Sequence, residues 1–254
     1  MRRQKSNMSR QNLNIKCMRK ISIMVLMALM WLVVIQVQAG TIQVAAPADI
    51  STYVAAANDG DIIELTTSGG AYTWSTQVTL TDNTKGFTVR AASGLASRPV
   101  VTFSGSTGYF IRLTSSSATS YSKKLSFEGI EFNGYNATNA IYSGYFYYSY
   151  LNPGAYGLTV AADNCVFRNF GSRPIYYSGV TGGAIEAMAG DLYISNSEFR
   201  DLRSGVLYAS PTNLNANPNN VNFTNCLFLG PSASGVANMY FVYNYDIHCA
   251  PEDE

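Results

Sequence analysis

The chain has 254 residues, of which 47% are hydrophobic and 13% are charged, and its formal net charge is +1. Residues 1–39 hold seven of the 17 basic residues and none of the 16 acidic ones, so residues 40–254 carry a net charge of about −6. That balance argues against nucleic acid or an anionic membrane surface as the partner. The low charge and the many Gly, Ser, Thr, Asn and Tyr residues suit an all-β repeat fold better than a helical one.

The first residues predict a secretory signal peptide over 1–39. The basic start Met18–Lys20 precedes an apolar run over residues 21–35, and the small residue Ala39 closes the segment. A transmembrane anchor is the alternative, because the run approaches the length that spans a bilayer. The signal peptide is favoured, since no cluster of Lys or Arg follows the run. We therefore expect a protein that is secreted, periplasmic or displayed at the cell surface, with residues 40–254 as its mature domain and no stable membrane insertion.

The next elements predict the capped beginning of a stack of coils. Residues Pro47–Ala57 show a helical pattern, with one apolar face made by Ile50, Tyr53, Val54 and Ala57. Asp61–Leu65 then begins the first strand, and Phe87–Ala91 and Val100–Phe103 supply the first coils. A short helix in this position would cover the strand edges that a stack of coils exposes.

Four later segments share one pattern: an alternating apolar strand, a polar bend, and a short strand that ends in Phe. They are Leu125–Phe132, Leu158–Phe167, Leu192–Phe199 and Val221–Phe228. The closing Phe recurs every 29–35 residues, a period typical of stacked solenoids. Three of the bends carry Asn, which tolerates left-handed backbone geometry and can bond along a ladder of stacked amides. These bend residues are Asn164, Asn196 and Asn225.

A second apolar column follows each Phe by about eight residues. Its segments are Ile141–Ser143, Ile175–Tyr177, Val206–Tyr208 and Val236–Asn238. Two columns at a constant offset mean that the chain returns to the same face once per coil, which a β-sandwich does not explain. The sequence therefore predicts an all-β fold, a right-handed parallel β-helix with a short N-terminal capping helix.

Three cysteines follow residue 39, and the repeat register bears on their pairing. In an exported chain a disulfide is the first expectation. However, Cys165 and Cys226 share a column with Ser197 between them, so they lie two rungs apart, about 10 Å, which exceeds the reach of a disulfide. We predict that both are buried core thiols, while Cys249 has no place in the register.

The end of the chain carries no predicted capping helix. The segment Met239–Tyr245 still alternates, and the chain stops nine residues later. This pattern predicts either a chain that is truncated near Asp246 or an oligomer that buries the open strand edge.

The N-terminal blocks resemble a known family of β-helix proteins. The blocks are Ala56–Leu65, Gly70–Tyr72, Phe87–Gly94 and Arg98–Val101. They resemble the N-terminal half of secreted, Bacteroidetes-type pectin-lyase-fold proteins, which contain a domain of unknown function related to polysaccharide lyase family six, the chondroitinase B and alginate lyase family. The resemblance covers about residues 41–135 and implies binding or β-elimination of an acidic polysaccharide.

The resemblance also implies catalytic groups that this chain does not show. In the lyase family a Lys base and an Arg act beside a calcium ion held by Asn and Glu. The last lysine here is Lys124, so the later coils have no Lys to abstract a proton. Gly183–Ala187 resembles the acidic metal-binding strand, which makes Glu186 a weak candidate ligand for calcium. No catalytic residue is carried over.

Two arginines are the main candidates for substrate binding. Arg168 and Arg200 each follow the repeating Phe by one position, so they should face outward on adjacent rungs. Guanidinium groups about 4.8 Å apart repel unless an anion bridges them, which predicts a grip on a uronate carboxylate. Arg173 and Arg203 lie in the following bends and would extend the patch. The alternative is that Glu198, on the same strand, neutralises Arg200.

A tyrosine-rich segment supplies further candidates. Tyr145 and Tyr147 are expected to stack on sugar rings, unless the segment packs on the flank of the solenoid. Asp163, Asp201 and Glu186 offer the hard oxygen ligands that calcium prefers, although their spacing matches no defined loop and surface carboxylates are the alternative.

These features predict an exported β-helix protein that binds or processes acidic polysaccharide, with or without a complete catalytic site. The lysine-free second half favours binding over elimination chemistry. The alternative is a non-enzymatic, adhesin-like surface solenoid that contacts other proteins through its tyrosine-rich flank.

Overall fold

A computed structural model describes most of the chain after residue 38. The described ranges are 39–81, 84–106, 108–115, 123–138, 140–152, 157–179, 190–209, 220–229 and 242–243. Several predictions lie outside these ranges, namely those for residues 1–38, Glu186, Val236–Asn238 and Cys249. In the part of the chain that the structure describes, no helix is long and apolar enough to cross a membrane.

After the first strand, which belongs to sheet 1, each described coil contributes one strand to each of three parallel sheets, numbered 1 to 3 in chain order. Sheet 1 contains β1 (Thr41–Val44), β2 (Ile62–Leu65), β5 (Phe87–Ala91), β8 (Lys124–Glu128), β13 (Thr159–Asp163), β16 (Leu192–Ser195) and β19 (Val221–Thr224). Sheet 2 contains β3 (Ala71–Trp74), β6 (Val100–Phe103), β9 (Glu131–Asn133), β14 (Val166–Arg168), β17 (Glu198–Arg200) and β20 (Leu227–Phe228).

Sheet 3 contains β4 (Val78–Thr81), β7 (Tyr109–Ser115), β12 (Tyr145–Leu151), β15 (Ile175–Gly179), β18 (Leu207–Ala209) and β21 (Val242–Tyr243). An antiparallel pair, β10 (Tyr135–Asn136) and β11 (Ile141–Tyr142), is inserted between sheets 2 and 3 in one coil. Neighbouring strands within the three sheets are parallel and come from successive coils. The predicted parallel β-helix is confirmed.

The predicted capping helix is also present, as α1 (Ile50–Ala56). The Asp49 carboxylate begins it by accepting a hydrogen bond from the Ser51 backbone N–H at 3.1 Å, which satisfies a free N–H of the first turn. Ile50 and Val54 are fully buried where the helix packs against β3 and β4. The strand β1, which no sequence pattern predicts, precedes the helix and pairs with β2.

The Phe column runs through the core of the solenoid as predicted. Successive ring centroids are 5.6 Å apart for Phe132 and Phe167, 5.0 Å for Phe167 and Phe199, and 5.3 Å for Phe199 and Phe228. The three pairs are stacked with nearly parallel planes, because parallel in-register strands place equivalent side chains directly above one another.

The Asn residues of the bends adopt the left-handed backbone conformation that was predicted. Asn164, Asn196 and Asn225 have φ values of 53°, 49° and 52°. The amide of Asn225 donates to Asn196 Oδ1 at 2.8 Å, as expected for a stacked ladder. At the next step, however, the Asn196 amide donates to Asp163 Oδ1 at 2.8 Å. The ladder therefore passes from amide to carboxylate between these coils.

The second predicted column is correct in part. Ile175 pairs with Tyr147 on one side and with Leu207 on the other. Ile141 therefore does not belong to the column, and Val206 is one position out of register. The inserted β10–β11 pair lengthens the coil of Ile141, so Tyr147 takes the column position in that coil. In the coil of Val206 the offset of eight residues from the Phe still holds, and Leu207 occupies it.

The two described cysteines are free, which confirms that no disulfide joins them. Cys165 is buried, as predicted, and burial raises the pKa of its thiol to about 12. The prediction of burial is wrong for Cys226, which is partly exposed.

Candidate functional site

Arg168 and Arg200 are register partners on adjacent strands of sheet 2, as predicted. The anion that bridges them belongs to the chain itself. Glu131 lies 2.5 Å from Arg168 Nε and 3.4 Å from Arg200 Nη2, and Glu198 lies 3.3 Å from Arg200 Nε. Two guanidinium groups and two carboxylates leave this cluster with no net charge. A ligand carboxylate would therefore have to compete with Glu131.

Tyr147 does not reach the surface. Its side chain is 0% exposed, and burial raises the pKa of its hydroxyl well above the ordinary value. Alternation along β12 points Tyr147, Ser149 and Leu151 into the core and leaves Tyr148 and Tyr150 partly exposed on the outside. The prediction that Tyr147 contacts a sugar is therefore incorrect, and Tyr148 takes the outward position.

The outer side of sheet 3 brings several predicted residues together with others that were not predicted. We call this the tyrosine–arginine surface, defined by Tyr109, Tyr145, Tyr148, Tyr176, Tyr208, Arg112 and Arg173. Its main column follows the strand register from Arg112 through Tyr148 and Tyr176 to Tyr208. All seven side chains are partly exposed.

The tyrosine rings of this surface stack on one another. Ring centroids are 4.9 Å apart for Tyr109 and Tyr148, 5.3 Å for Tyr148 and Tyr176, and 4.5 Å for Tyr176 and Tyr208, with interplanar angles of 13°, 24° and 18°. The faces of the rings are thus largely occupied by neighbouring rings. What the column presents to a ligand is a row of ring edges and hydroxyl groups, which changes the expected sugar contact from stacking to hydrogen bonding.

Arginines lie against these rings. Arg112 Cζ is 5.8 Å from the centroid of Tyr148, and Arg173 Cζ is 4.8 Å from that of Tyr208. In the bend before sheet 3, Arg203 Cζ lies 3.8 Å from the centroid of Tyr142. Cation–π contacts of this kind orient a guanidinium group without neutralising it.

The charge of this surface differs from that of sheet 2. The strands of sheet 3 contain no Asp or Glu in any of their described residues. Arg112 makes no ion pair with any residue that the structure describes, and its buried Nε has no hydrogen-bond partner there. Arg112 is therefore available to an anionic ligand, whereas Arg168 and Arg200 are already paired.

The hydroxyl groups of Tyr148 and Tyr176 are neutral at physiological pH. Burial raises the pKa of Tyr148, and it raises the pKa of Tyr176 well above its ordinary value. A neutral phenol both donates and accepts hydrogen bonds. The column therefore suits a ligand that is rich in hydroxyl and carboxylate oxygens.

The structure thus separates the predicted site residues into three groups. Arg168 and Arg200 form the neutral cluster on sheet 2, and Tyr147 lies in the core. Tyr145 and Arg173 join the tyrosine–arginine surface, and the predicted Arg203 flanks it. Tyr109 and Arg112 were missed because they precede the first recognised repeat, so no register could be assigned to them. The useful signal is the alternation in β7, where Arg112 lies between buried Ile111 and Leu113.

A calcium site is not assembled by the described residues. Among them, no group of three His, Cys, Asp or Glu side chains could hold a metal ion. Oδ1 of Asp163 accepts hydrogen bonds from Ser195 Oγ at 2.6 Å and from Asn196 Nδ2 at 2.8 Å. Glu186 lies outside the described ranges, so the calcium expectation remains a prediction.

Comparison with known proteins adds a likeness to solved structures. No protein-family model and no curated protein matches the chain. The chain is similar to a PL6 family alginate lyase, AlyGC, with 17% sequence identity and a TM-score of 0.47. The match covers 76% of this chain and 29% of the lyase chain, so this chain spans less than a third of that protein's length.

Proposed function

We propose that this chain is an exported protein that binds an acidic polysaccharide along the tyrosine–arginine surface. The observation that carries the proposal is a continuous row of hydroxyl and guanidinium groups on a sheet whose described strands contain no carboxylate.

The spacing of the row favours a polymer. Adjacent strands are about 4.8 Å apart, so Arg112 and the strand of Tyr208 are separated by three rungs, or about 14 Å. A ligand that meets both ends must be extended and must repeat its oxygen groups. Guanidinium groups bind carboxylates and sulfates through charge-assisted hydrogen bonds, while phenols bind the hydroxyl groups between them.

The same groups do not suit proton abstraction. A general base works best when its pKa is near the operating pH. Burial moves the pKa values of Tyr148 and Tyr176 further above neutrality, so both phenols hold their protons. The chain has no lysine after Lys124. Binding without elimination is therefore the function that these residues support.

The proposal is tested by titrating the protein with alginate, pectate and chondroitin sulfate in a calorimeter, with dextran as the uncharged control. Arg112→Gln should weaken binding of the acidic polymers about tenfold, since one charge-assisted contact is lost. Tyr148→Phe keeps the ring stacking and should weaken binding by a smaller factor. Arg168→Gln is the matched control, because Arg168 is paired with Glu131.

Three outcomes would contradict the proposal. If Arg168→Gln abolished binding while Arg112→Gln did not, the glycan site would lie on sheet 2. If any of the acidic polymers gave rising ultraviolet absorbance from unsaturated uronate in the presence of calcium, the chain would be a lyase. If the protein in cell fractions stayed in the cytoplasm and did not begin at Gly40, it would not be exported.

A further inference from the structure

A second candidate site lies at the bend between sheets 1 and 2, away from the strands of sheet 3. The bend that connects β5 to β6 contains eight residues, 92–99, whereas the bends after β8 and β13 contain two each. The long bend and these two shorter bends enclose an open cleft of about 300 Å³. That volume lies at the lower end of small-molecule sites and suits one small polar ligand.

One wall of the cleft is a guanidinium group that is held in place. Arg98 Nη2 donates to Asn164 Oδ1 at 2.5 Å, so the side chain reaches across the intervening bend at Gly129. Gly129 has a φ of +70°, and a Cβ atom there would lie 3.2 Å from Ala91 Cβ. Glycine therefore permits the tight bend beneath the arginine. Within the described part of the chain, Arg98 makes no ion pair.

The other wall carries two carboxylates from neighbouring strands. Glu128 and Asp163 are register partners on β8 and β13 and both line the cleft. Ser195 and Asn196 hold Asp163 through its Oδ1 atom, which leaves Oδ2 for a ligand. Glu128 is exposed and has no hydrogen-bond partner among the described residues. The nearby Arg90 does not neutralise it, because Arg90 is paired with Glu64 at 2.8 Å.

The net charge and the hydrogen-bonding groups of the cleft determine which type of ligand it can bind. One guanidinium and two carboxylates give the cleft a local charge of −1, which disfavours a uronate or a sulfate. The hydrogen-bonded side chains of Arg98, Asn164 and Asp163 offer both donors and acceptors to neighbouring hydroxyl groups. Leu95 and Ala92 add an apolar part of the lining for the carbon face of a ring.

We propose that this cleft binds a single neutral or amino sugar unit and rejects uronic acids. The sugar hydroxyls bridge Arg98 and Asp163, and an amino group gains a further ion pair with Glu128. The charge preference is opposite to that of the tyrosine–arginine surface. The two sites therefore do not depend on each other, and each can fail without the other.

The test is an NMR titration of the isotope-labelled protein with glucose, glucosamine and glucuronate at pH 7. Saturable shifts should appear at residues 92–98, 128–129 and 163–164 with glucose and with glucosamine, and be absent with glucuronate. Glu128→Gln should weaken glucosamine binding about tenfold and glucose binding by less, because only the amine loses an ion pair. Arg98→Gln should weaken both, and Glu198→Gln on sheet 2 is the control with no expected effect.

Absence of saturable shifts with all three sugars would overturn the proposal, as would binding that neither cleft variant changes. Preferential binding of glucuronate in the cleft would overturn the charge assignment. Because Glu128 does not lie on sheet 3, the Glu128→Gln variant should bind acidic polymers as tightly as the wild-type protein does. That comparison separates failure of the cleft from failure of the polysaccharide surface.

Discussion

Two tyrosines in the core provide a test of the inward register of sheet 3. Tyr147 and Tyr177 lie on adjacent strands, are both 0% exposed, and have ring centroids 5.8 Å apart. Neither hydroxyl has a hydrogen-bond partner of acceptable geometry in the described structure. Burial raises the pKa of both phenols well above the ordinary value of 10. In the unfolded chain both phenols titrate near that ordinary value.

The sign of the pH dependence follows from these directions. Above pH 10 the unfolded chain releases protons that the folded chain retains, so the free energy of unfolding falls as the pH rises. Each such group contributes a slope of about −1.4 kcal/mol per pH unit until its folded pKa is reached. The double variant Tyr147→Phe, Tyr177→Phe should therefore lose about 2.7 kcal/mol per pH unit of this dependence. Below pH 10 both phenols are protonated in the folded and the unfolded chain, so their contribution to the free energy of unfolding is fully present.

At pH 7 the same substitutions probe the hydroxyl groups alone. Removing a buried hydroxyl that has no partner should leave the free energy of unfolding unchanged or raise it by up to about 1 kcal/mol. Urea unfolding followed by the fluorescence of buried Trp74 measures both effects, at pH 7 and between about pH 10 and pH 11.5. Tyr150→Phe, on the outer side of the same strand as Tyr147, is the control.

Two results would refute this reasoning. A double variant that kept the wild-type slope above pH 10 would show that the phenols are not buried in the folded protein. A loss of more than about 1 kcal/mol at pH 7 would show that the hydroxyl groups have partners, such as an internal water.

Two further predictions concern the repeat itself. Phe167→Ala should lower the free energy of unfolding, measured in urea, by about 3–5 kcal/mol, because a fully buried ring between two stacked rings is lost. A loss below about 1 kcal/mol would contradict the packed Phe column. Asn196→Ala should lower the free energy of unfolding by about 1–2 kcal/mol, because it forces alanine to a φ of +49° and removes the hydrogen bonds with Asp163 and Asn225. Asn196→Gly should lower it by less, because glycine adopts that φ without strain. Equal losses for the two variants would show that backbone strain contributes nothing.

The sequence alone determined the architecture, because the signals for it are local and repeated. Alternation within each strand, the Phe that closes four successive coils and the Asn in three of their bends all report the same coil geometry. The left-handed φ values of Asn164, Asn196 and Asn225 bear this out. The capping helix was predictable because its signals are also local: its apolar face and its N-cap lie within one short segment.

The tertiary structure decided which side chains are free to bind a ligand. Whether Arg168 is available depends on Glu131, 37 residues earlier, and no local pattern reports that pairing. The position of Tyr147 depends on the register after the β10–β11 insertion, and a shift of one residue exchanges the inner and outer faces of a strand. The same apolar side chains recur in the core of successive coils, so a repeat in the sequence reveals them. Whether a surface side chain is paired depends instead on which residues the neighbouring coils place beside it. For that reason the fold could be predicted from the sequence, and the location of the candidate site could not.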